Sequence, residues 1–429
     1  MKSVINVGII GLGTVGQGAF HILNDNRDII EMKVGSRVAV TRVADIDPER
    51  ARRANIGLDI FTTDGNQVVD DPDIDIVVEL IGGTGAAKTF IQRALKNGKN
   101  IVTANKELLA KEGHELLIEA CDRKLVFYFE ASVGGGIPII RPLKVDLAGN
   151  RIKEIKGIVN GTTNYILTRM ARDGWEFADA LADAQELGYA EKPDPSADVD
   201  GHDAAYKISI LASIAFMSRV DTSQVYREGI RKITKADTEY ARELGYAIKL
   251  LAVAKDVDGG MSVRVHPAFV PVGHPLASVS DVYNAIYVRG DAVGDVMFYG
   301  RGAGSEAAGS SVVGDIVDIA KNIRIGATGR VPCTCHQDKP LLGMDSVRCK
   351  YYLRMVAADK PKVLAAIANV FGENDVSIQS VIQKAQFDDG AEIVWLTHEI
   401  EERNMRRALD GIRGLDVVKS VESWIRVEE

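Results

Sequence analysis

The stretch Val4-Ile-Asn-Val-Gly-Ile-Ile-Gly11-Leu-Gly13-Thr14-Val15-Gly16 limits what this chain can fold into more than any other. It is an apolar strand running into G-x-G-x-x-G, and Gln17 to Leu23 then carries apolar residues at helical spacing. Glycines at those positions allow a tight turn and close approach of a pyrophosphate, whose charge meets the open N–H groups at the start of the helix. A second strand, Arg37 to Ala44, ends at Asp45, which is placed to accept hydrogen bonds from an adenosine ribose and so favours NAD over NADP. Arg50, Arg52 and Arg53 follow closely and offer the opposite preference, a site for a 2′-phosphate. Asn24 to Ser36 reads as an inserted polar loop. Strands at Ile74 to Leu80, Asn100 to Thr103 and Lys124 to Phe129, with a helix at Lys88 to Asn97, continue the alternation. The pattern predicts an α/β fold with a doubly wound parallel sheet of the Rossmann type, its ligands at the carboxyl ends of the strands.

At 429 residues the chain is long enough for two to four domains. Its 52 basic and 60 acidic side chains leave a formal charge of −8 with no long basic run, which excludes nucleic acid and anionic membrane surfaces as partners and favours small molecules. The first strand follows Met1-Lys2 directly and no apolar run reaches the ~18 residues of a membrane span, so a cytoplasmic protein is expected. Cys121, Cys333, Cys335 and Cys349 are too few for a disulfide framework. Cys333-Thr-Cys335-His336 lacks the second ligand pair that zinc needs, and reads as linker.

Glu191-Lys-Pro-Asp-Pro-Ser-Ala-Asp198-Val-Asp-Gly-His-Asp203-Ala-Ala-Tyr-Lys207 packs five carboxylates into thirteen residues, Glu191 to Asp203, and reaches a lysine four positions later. Ser196-x-Asp198-x-Asp200-Gly201 starts like a calcium loop, but the twelfth position, which needs a bidentate Glu, is Lys207. A helix opening just after Gly201 would put Asp203 and Lys207 on one face, either as a proton-transfer pair or as an ordinary solvated ion pair. Past two other strands lie Thr103-Ala-Asn105-Lys106 and Glu130-Ala-Ser-Val133-Gly-Gly135-Gly-Ile137-Pro138. The glycine run of the second suits carbonyls turned to a cation or a domain-crossing turn equally well. Gly157-Ile-Val-Asn160-Gly-Thr162-Thr-Asn164-Tyr165 crowds small hydrogen-bonding residues at a strand-to-helix transition, a place for a polar small molecule.

In chain order, Thr103-Ala-Asn-Lys106, Glu130 to Pro138, Asn160-Gly-Thr-Thr-Asn-Tyr165, Gly188-Tyr-Ala-Glu191 and the Asp-rich segment to Lys207 resemble homoserine dehydrogenase, over about residues 1 to 345. The resemblance implies reversible NAD- or NADP-dependent reduction of L-aspartate 4-semialdehyde to L-homoserine in threonine, methionine and isoleucine biosynthesis. It implies Lys207 and Asp203 as catalytic residues, and Lys106, Thr162, Glu191, Asp198 and Asp203 as substrate contacts. It implies cofactor contacts at Gly11, Gly13, Thr14, Val15, Gly16, Asp45, Thr103, Lys106, Gly188, Gly302 and Gly304. A monovalent cation, expected to be sodium, is implied at Glu130 with the carbonyls of Val133, Gly135 and Ile137. Between Glu191 and Asp194-Pro195 this chain has Lys192-Pro193, one residue more than that family usually shows.

Arg330 to Lys350 reads as a linker, after which six predicted elements follow the order β-α-β-β-α-β. They are Tyr351 to Ala357, Val363 to Asn374, Ser377 to Gln386, Glu392 to Glu399, Glu402 to Arg413 and Val417 to Trp424. With Asp359-Lys-Pro361-Lys-Val-Leu and Val376-Ser-Ile this ferredoxin-like unit resembles the ACT domain, an amino-acid-sensing module, and threonine is the effector the implied pathway suggests. Lys362 stands where that family often has Gly. The expected organisation is a nucleotide-binding domain over 1–132, completed by a returning helix at about 305–328. An α+β catalytic and dimerisation domain over 133–304, a linker over 329–348 and an ACT-like domain over 349–429 complete it. A homo-oligomer, dimer or tetramer, is expected. The competing functions are a non-catalytic nucleotide-binding amino-acid sensor, which has no need of Lys207, Asp203 and Glu191 together, and a reductase of another amino-acid semialdehyde.

Overall fold

The computed structural model describes residues 2–327, 335–387 and 390–429, and the backbone alone at 384–387. Cys333 of the Cys-Thr-Cys-His run lies outside the described residues. The chain divides into two compact units, one holding Met1–Val159, Tyr206–Val225 and Val282–Lys339, the other Asn160–Ala205, Tyr226–Asp281 and Pro340–Glu429.

The first unit contains a six-stranded parallel sheet whose spatial order is third, second, first, fourth, fifth and sixth strand: Phe61–Thr62, Arg37–Ala44, Val4–Ile10, Ile76–Glu79, Asn100–Thr103 and Phe127–Tyr128. The order reverses beside Val4–Ile10, where the glycine turn sits, so the crevice for a dinucleotide opens there. Ile5, Val7 and Ile9 are fully buried, and the helix Ser305–Ile325 returns to cover them with Val312, Ile316 and Ile319. Close packing of that helix requires glycine at Gly18, where a Cβ would fall 2.1 Å from the Ser305 carbonyl oxygen. The same unit holds an antiparallel group formed by Ile152–Ile158, Tyr283–Gly290 and Gly294–Arg301.

Two local expectations change. Asn24 to Ser36 is not a loop: Arg27–Val34 is a helix with Ile30 and Val34 buried one turn apart, and Gly35 ends it with φ +73°. Two buried apolar residues suffice for so short a helix because only one stripe meets the core. The last strand is shorter than Lys124 to Phe129, since Lys124 takes φ +58° and turns the chain before Phe127.

In the second unit the long antiparallel pair Tyr246–Val257 and Gly260–Pro271 continues into the ACT-like sheet. Val418–Val427 pairs in parallel with Gly260–Pro271 through Ala268↔Arg426 and Phe269↔Val427. Arg348–Ala357, Gly390–Thr397 and Ile378–Phe387 follow as antiparallel neighbours. Their β-α-β-β-α-β order, with helices Val363–Glu373 and Glu402–Arg413, is the one expected. The ACT-like core gathers Tyr351, Leu353, Ile367, Phe371, Trp395 and Leu409, while Tyr352 points to the other face and stacks on Phe269 at 4.5 Å. Pro340 to Leu342, read as linker, is hydrogen-bonded to Met261 through Met261 N–H to the Pro340 carbonyl (2.9 Å) and Leu342 N–H to the Met261 carbonyl (2.8 Å). Lys362 has φ +74°, so the position where glycine is usual is left-handed backbone that a side chain tolerates poorly.

Candidate active site

In the first unit the nucleotide crevice, about 470 Å³, is lined by Gly11, Gly13, Asp45, Ile46, Arg50, Asp64, Ile81 and Phe90 among others. The three glycines do different work. Gly11 has φ +103°, and a Cβ there would lie 2.6 Å from the Leu80 carbonyl oxygen, while one at Gly16 would lie 2.0 Å from the Gly11 oxygen. A Cβ at Gly13 would meet nothing within 4 Å, which leaves the backbone open to a phosphate at the start of the helix Thr14–Asp25. Thr14, Val15 and Gly16 form the first turn of that helix.

Asp45 is buried and both its carboxylate oxygens hold backbone: Leu12 N–H donates to Oδ2 (2.6 Å) and Asp47 N–H to Oδ1 (2.9 Å). Its nearest cation is Arg50, 3.4 Å away and half exposed. Arg52 and Arg53 do not line the crevice; Arg52 pairs with Glu49 at the surface. Asp45 therefore fixes the glycine turn, and Arg50, paired with Asp45 and Asp47, is the cation on this wall.

At the next strand ends, buried Glu79 organises the loops. Its Oε2 accepts from Thr103 Oγ1 (2.7 Å) and its Oε1 from Ile81 N–H (2.9 Å). Burial pushes this carboxyl above the usual range, and the Thr103 hydroxyl and the amides oppose the shift. Thr103 in turn accepts from Asn105 N–H (3.0 Å), and Asn105 caps the helix Lys106–Asp122 by accepting from Leu108 N–H (3.1 Å). Lys106 is thus presented at the first position of that helix.

The Glu130 to Ile137 segment uses Glu130 unexpectedly. Its carboxylate is turned to three amides, accepting from Ile139 (2.5 Å), Ile140 (2.7 Å) and Arg141 (2.8 Å). Burial raises its pKa while those amides pull it down. Gly134 and Gly135 have φ +75° and +56°, and a Cβ on Gly135 would fall 2.4 Å from the Gly302 oxygen. The loop is a glycine cradle whose carbonyls are set by left-handed backbone; the Gly135 oxygen accepts from Ser311 Oγ (2.7 Å). Gly304, with φ +118°, precedes the helix Ser305–Ile325, and Gly302 abuts Asn284. Among the described residues no group of three His, Cys, Asp or Glu side chains forms a metal cluster. Lys207, also in this unit, is 9% exposed and donates from Nζ to the Val159 carbonyl (2.7 Å).

In the second unit one asparagine gathers the carboxylates. Asn160 caps the helix Gly161–Asp173: its Oδ1 accepts from Thr163 N–H (2.9 Å), which fixes the amide orientation. Its Nδ2 then donates to Asp198 Oδ1 (2.7 Å) and to Asp203 Oδ2 (3.0 Å). Two carboxylates thus share one neutral donor, and Asp203 stands in the first turn of the helix His202–Ala215. Thr162 is buried and donates to the Tyr189 carbonyl (2.6 Å). Gly188 has φ +75° in the turn before it. Glu191 is exposed and is not drawn into the Asn160 cluster; Gln185 holds its carbonyl (2.9 Å). Behind the cap, buried Lys249 donates to Asn164 Oδ1 (3.3 Å), and burial lowers its pKa to about 8. Asn160, Glu79 and Lys249 were not among the expected site residues. The first two occupy positions that carry a signal, the cap of a helix and the polar end of a buried strand.

The comparisons agree with this architecture. The family model described as homoserine dehydrogenase matches residues 138–317, that described as homoserine dehydrogenase, NAD binding domain, matches 11–130, and that of the ACT domain matches 351–415. A homoserine dehydrogenase of Neisseria gonorrhoeae is 44% identical, covering 99% of this chain and 98% of its own. One of Bacillus subtilis is 41% identical over the same shares. The crystal structure of a homoserine dehydrogenase from Thiobacillus denitrificans superposes with a TM-score of 0.94 at 42% identity, covering 99% of this chain and 98% of that one. A nucleotide crevice at the reversal of a parallel sheet, a catalytic unit that pairs carboxylates on one asparagine and an ACT domain on its sheet edge thus meet in one sequence, and the chain belongs to the homoserine dehydrogenase family of oxidoreductases.

Proposed function

We propose that this chain reduces L-aspartate 4-semialdehyde reversibly to L-homoserine with Lys207 as proton donor. The observation that carries the reading is the Asn160 amide holding Asp198 and Asp203 together, because a substrate ammonium needs anionic acceptors fixed in place. A bound nicotinamide supplies hydride to the aldehyde carbon. As it does, the carbonyl oxygen gains charge, which the Lys207 ammonium stabilises and then protonates. In the oxidative direction the same lysine takes the proton from homoserine and must first be neutral, which favours alkaline pH. Asp203 is the proposed partner of the amine, and backbone N–H groups beside Thr162 suit the substrate carboxylate, with the Thr162 hydroxyl turning from the Tyr189 carbonyl to join them when substrate binds. Glu191 belongs to this reading as a further ammonium acceptor supplied from the exposed loop. The decisive variants are Lys207→Ala and Lys207→Arg, assayed for turnover beside cofactor affinity.

Gly11, Gly13 and the first turn at Thr14 to Gly16 would hold the pyrophosphate, with Thr103, Lys106, Gly188, Gly302 and Gly304 toward the nicotinamide. A hyperthermophilic archaeal homoserine dehydrogenase mutant has been solved with NADPH; it is 29% identical, with a TM-score of 0.63 over 74% of this chain and 97% of that one. Both oxygens of Asp45 are engaged by amides here, and Arg50 faces the same wall, which supports use of NADP as well as NAD. Arg50→Ala is expected to raise the KM for NADPH about tenfold and leave that for NADH nearly unchanged, in parallel assays with aspartate semialdehyde. Equal changes for both cofactors would remove Arg50 from this role. A monovalent cation, sodium, fits the main-chain oxygens of Glu130, Val133, Gly135 and Ile137, since oxygens suit hard cations and the Glu130 carboxylate is already turned to amides.

The ACT domain gives the reading a regulatory half, with threonine as feedback effector of a homo-oligomer. Turnover should fall as threonine is titrated into the full chain, and constant turnover across the titration sinks the claim. Cutting the chain near Asp338 is a poor control, because it strips Val418–Val427 from the strand Gly260–Pro271.

A further inference from the structure

The ACT-like sheet and the carboxylate turn are joined by four consecutive residues of the second unit. At one end, Arg426 on the last ACT-like strand is 1% exposed and grips Glu402 through Nε (2.7 Å) and Nη2 (2.8 Å). Its remaining Nη1 donates to Glu228 Oε2 (2.8 Å), which also accepts from Tyr226 Oη (3.1 Å). Glu228 N–H is fixed on the Val265 carbonyl (2.9 Å). At the next residue the chain touches the turn: a Cβ on Gly229 would lie 2.2 Å from the Val199 oxygen and 2.6 Å from Asp200 Cα. Ile230 N–H donates to the Val199 carbonyl (2.9 Å). Arg231 then clamps Asp200 with two parallel bonds, Nε to Oδ1 (2.6 Å) and Nη2 to Oδ2 (3.0 Å). Asp198, one residue before Val199, and Asp203, three after Asp200, are the two carboxylates on Asn160.

We infer that Glu228 and Arg231 are positioning residues for homoserine: through Gly229 and Ile230 they hold the Asp198–Asp203 turn at the height set by Arg426 of the ACT-like sheet. The inference rests on the reading that these carboxylates receive the substrate ammonium. Two features favour a positioning role over plain scaffolding. The clamp is bidentate and charge-assisted at a half-exposed surface, where a solvated arginine would otherwise have no reason to be ordered, and the intervening residue admits only glycine for lack of room. The strap touches the turn at the Val199 carbonyl and at Asp200, which lie between the two carboxylates in sequence, so a shift of Arg426 is carried to the segment that bears both.

The test uses the full chain with Arg231→Ala, Glu228→Gln and Asp198→Asn, measuring kcat, homoserine KM, cofactor affinity and melting. Arg231→Ala lies at the surface and keeps the core intact, so it decides the matter even if Glu228→Gln folds poorly. Each strap variant should raise the homoserine KM about five- to tenfold with kcat within about twofold and cofactor affinity unchanged. Simple destabilisation would instead lower the active fraction, and so apparent kcat, at constant KM. A wild-type homoserine KM in folded Arg231→Ala or Glu228→Gln overturns the inference, provided Asp198→Asn raises KM. If Asp198→Asn also leaves KM unchanged, it is the underlying substrate reading that fails.

Discussion

Lys207→Ala should lose about a hundredfold to ten-thousandfold in turnover in both directions, the range expected for removing a positioned acid–base group. Cofactor affinity should hold, because the nucleotide crevice is built from other residues. Truncation also leaves the Val159 carbonyl without the Nζ that donates to it at 2.7 Å, and an unsatisfied buried acceptor costs about 1–3 kcal/mol, so some loss of stability accompanies the loss of rate. Lys207→Arg separates the two effects. A guanidinium keeps the cation and can donate to Val159, but it cannot give up its proton in the assay range. Homoserine oxidation by Lys207→Arg should therefore be abolished and its alkaline rise should vanish, while melting stays close to wild type. Oxidation by either variant at more than about a tenth of the wild-type rate would remove Lys207 from the chemistry.

Much of this was legible in the sequence because the signals are local. Asn100–Thr103 is a short apolar run between Gly98 and Asn105, and the ACT-like elements alternate period 2 with period 3.6 inside turn residues, so strand and helix fall where the patterns change. The spacing of Asp203 and Lys207 is a property of one helix and could be read directly. What could not be read depends on contacts between distant residues. Asn160 reaches carboxylates 38 and 43 residues further on, and nothing in its own neighbourhood announces two acceptors. The glycine run after Glu130 could be read as turning carbonyls to a cation, but not where the Glu130 carboxylate points; that its oxygens face the amides of Ile139, Ile140 and Arg141 is set by how the chain doubles back. The helix Arg27–Val34 hid because it is short and half charged and exposes Ile29 and Met32, leaving only Ile30 and Val34 as its buried stripe. The charges at the end of the last strand hid for another reason. Arg426 and Glu428 lie past Trp424, where the predicted strand stops, yet only 1% and 2% of their surfaces are exposed.

That burial predicts a large stability effect at Glu428. Glu428 accepts from Arg264 and, at 3.0 Å, from Lys255, with the His266 ring 3.6 Å away. Burial alone would raise its pKa, but the two cations outweigh it and hold the carboxyl well below the usual range. His266 is neutral in this arrangement: its Nδ1 faces the Pro267 carbonyl at 2.9 Å and must carry the hydrogen, leaving Nε2 to accept from Arg264 Nε at 3.1 Å. Burial and then the neighbouring arginines hold the ring below an ordinary histidine, against the pull of Glu428. Glu428→Gln removes the anion and strands a buried guanidinium, which should cost about 3–5 kcal/mol in denaturant unfolding. Replacing both charges, in Glu428→Gln with Arg264→Met, should recover most of that, because the desolvation cost disappears with the pair. The pH dependence follows from the two shifts. A histidine whose folded pKa is depressed loses the native state stability as pH falls below about 6.5, where only the unfolded ring takes a proton. A glutamate whose folded pKa is depressed contributes stability above about 4.3 and loses it as pH falls through that value toward its folded pKa. Wild type should therefore weaken in two successive steps on acidification. The double variant should lack the second step, and a single variant as stable as wild type at pH 7 would show that the cluster contributes nothing to the join between the catalytic strand Gly260–Pro271 and the ACT-like sheet.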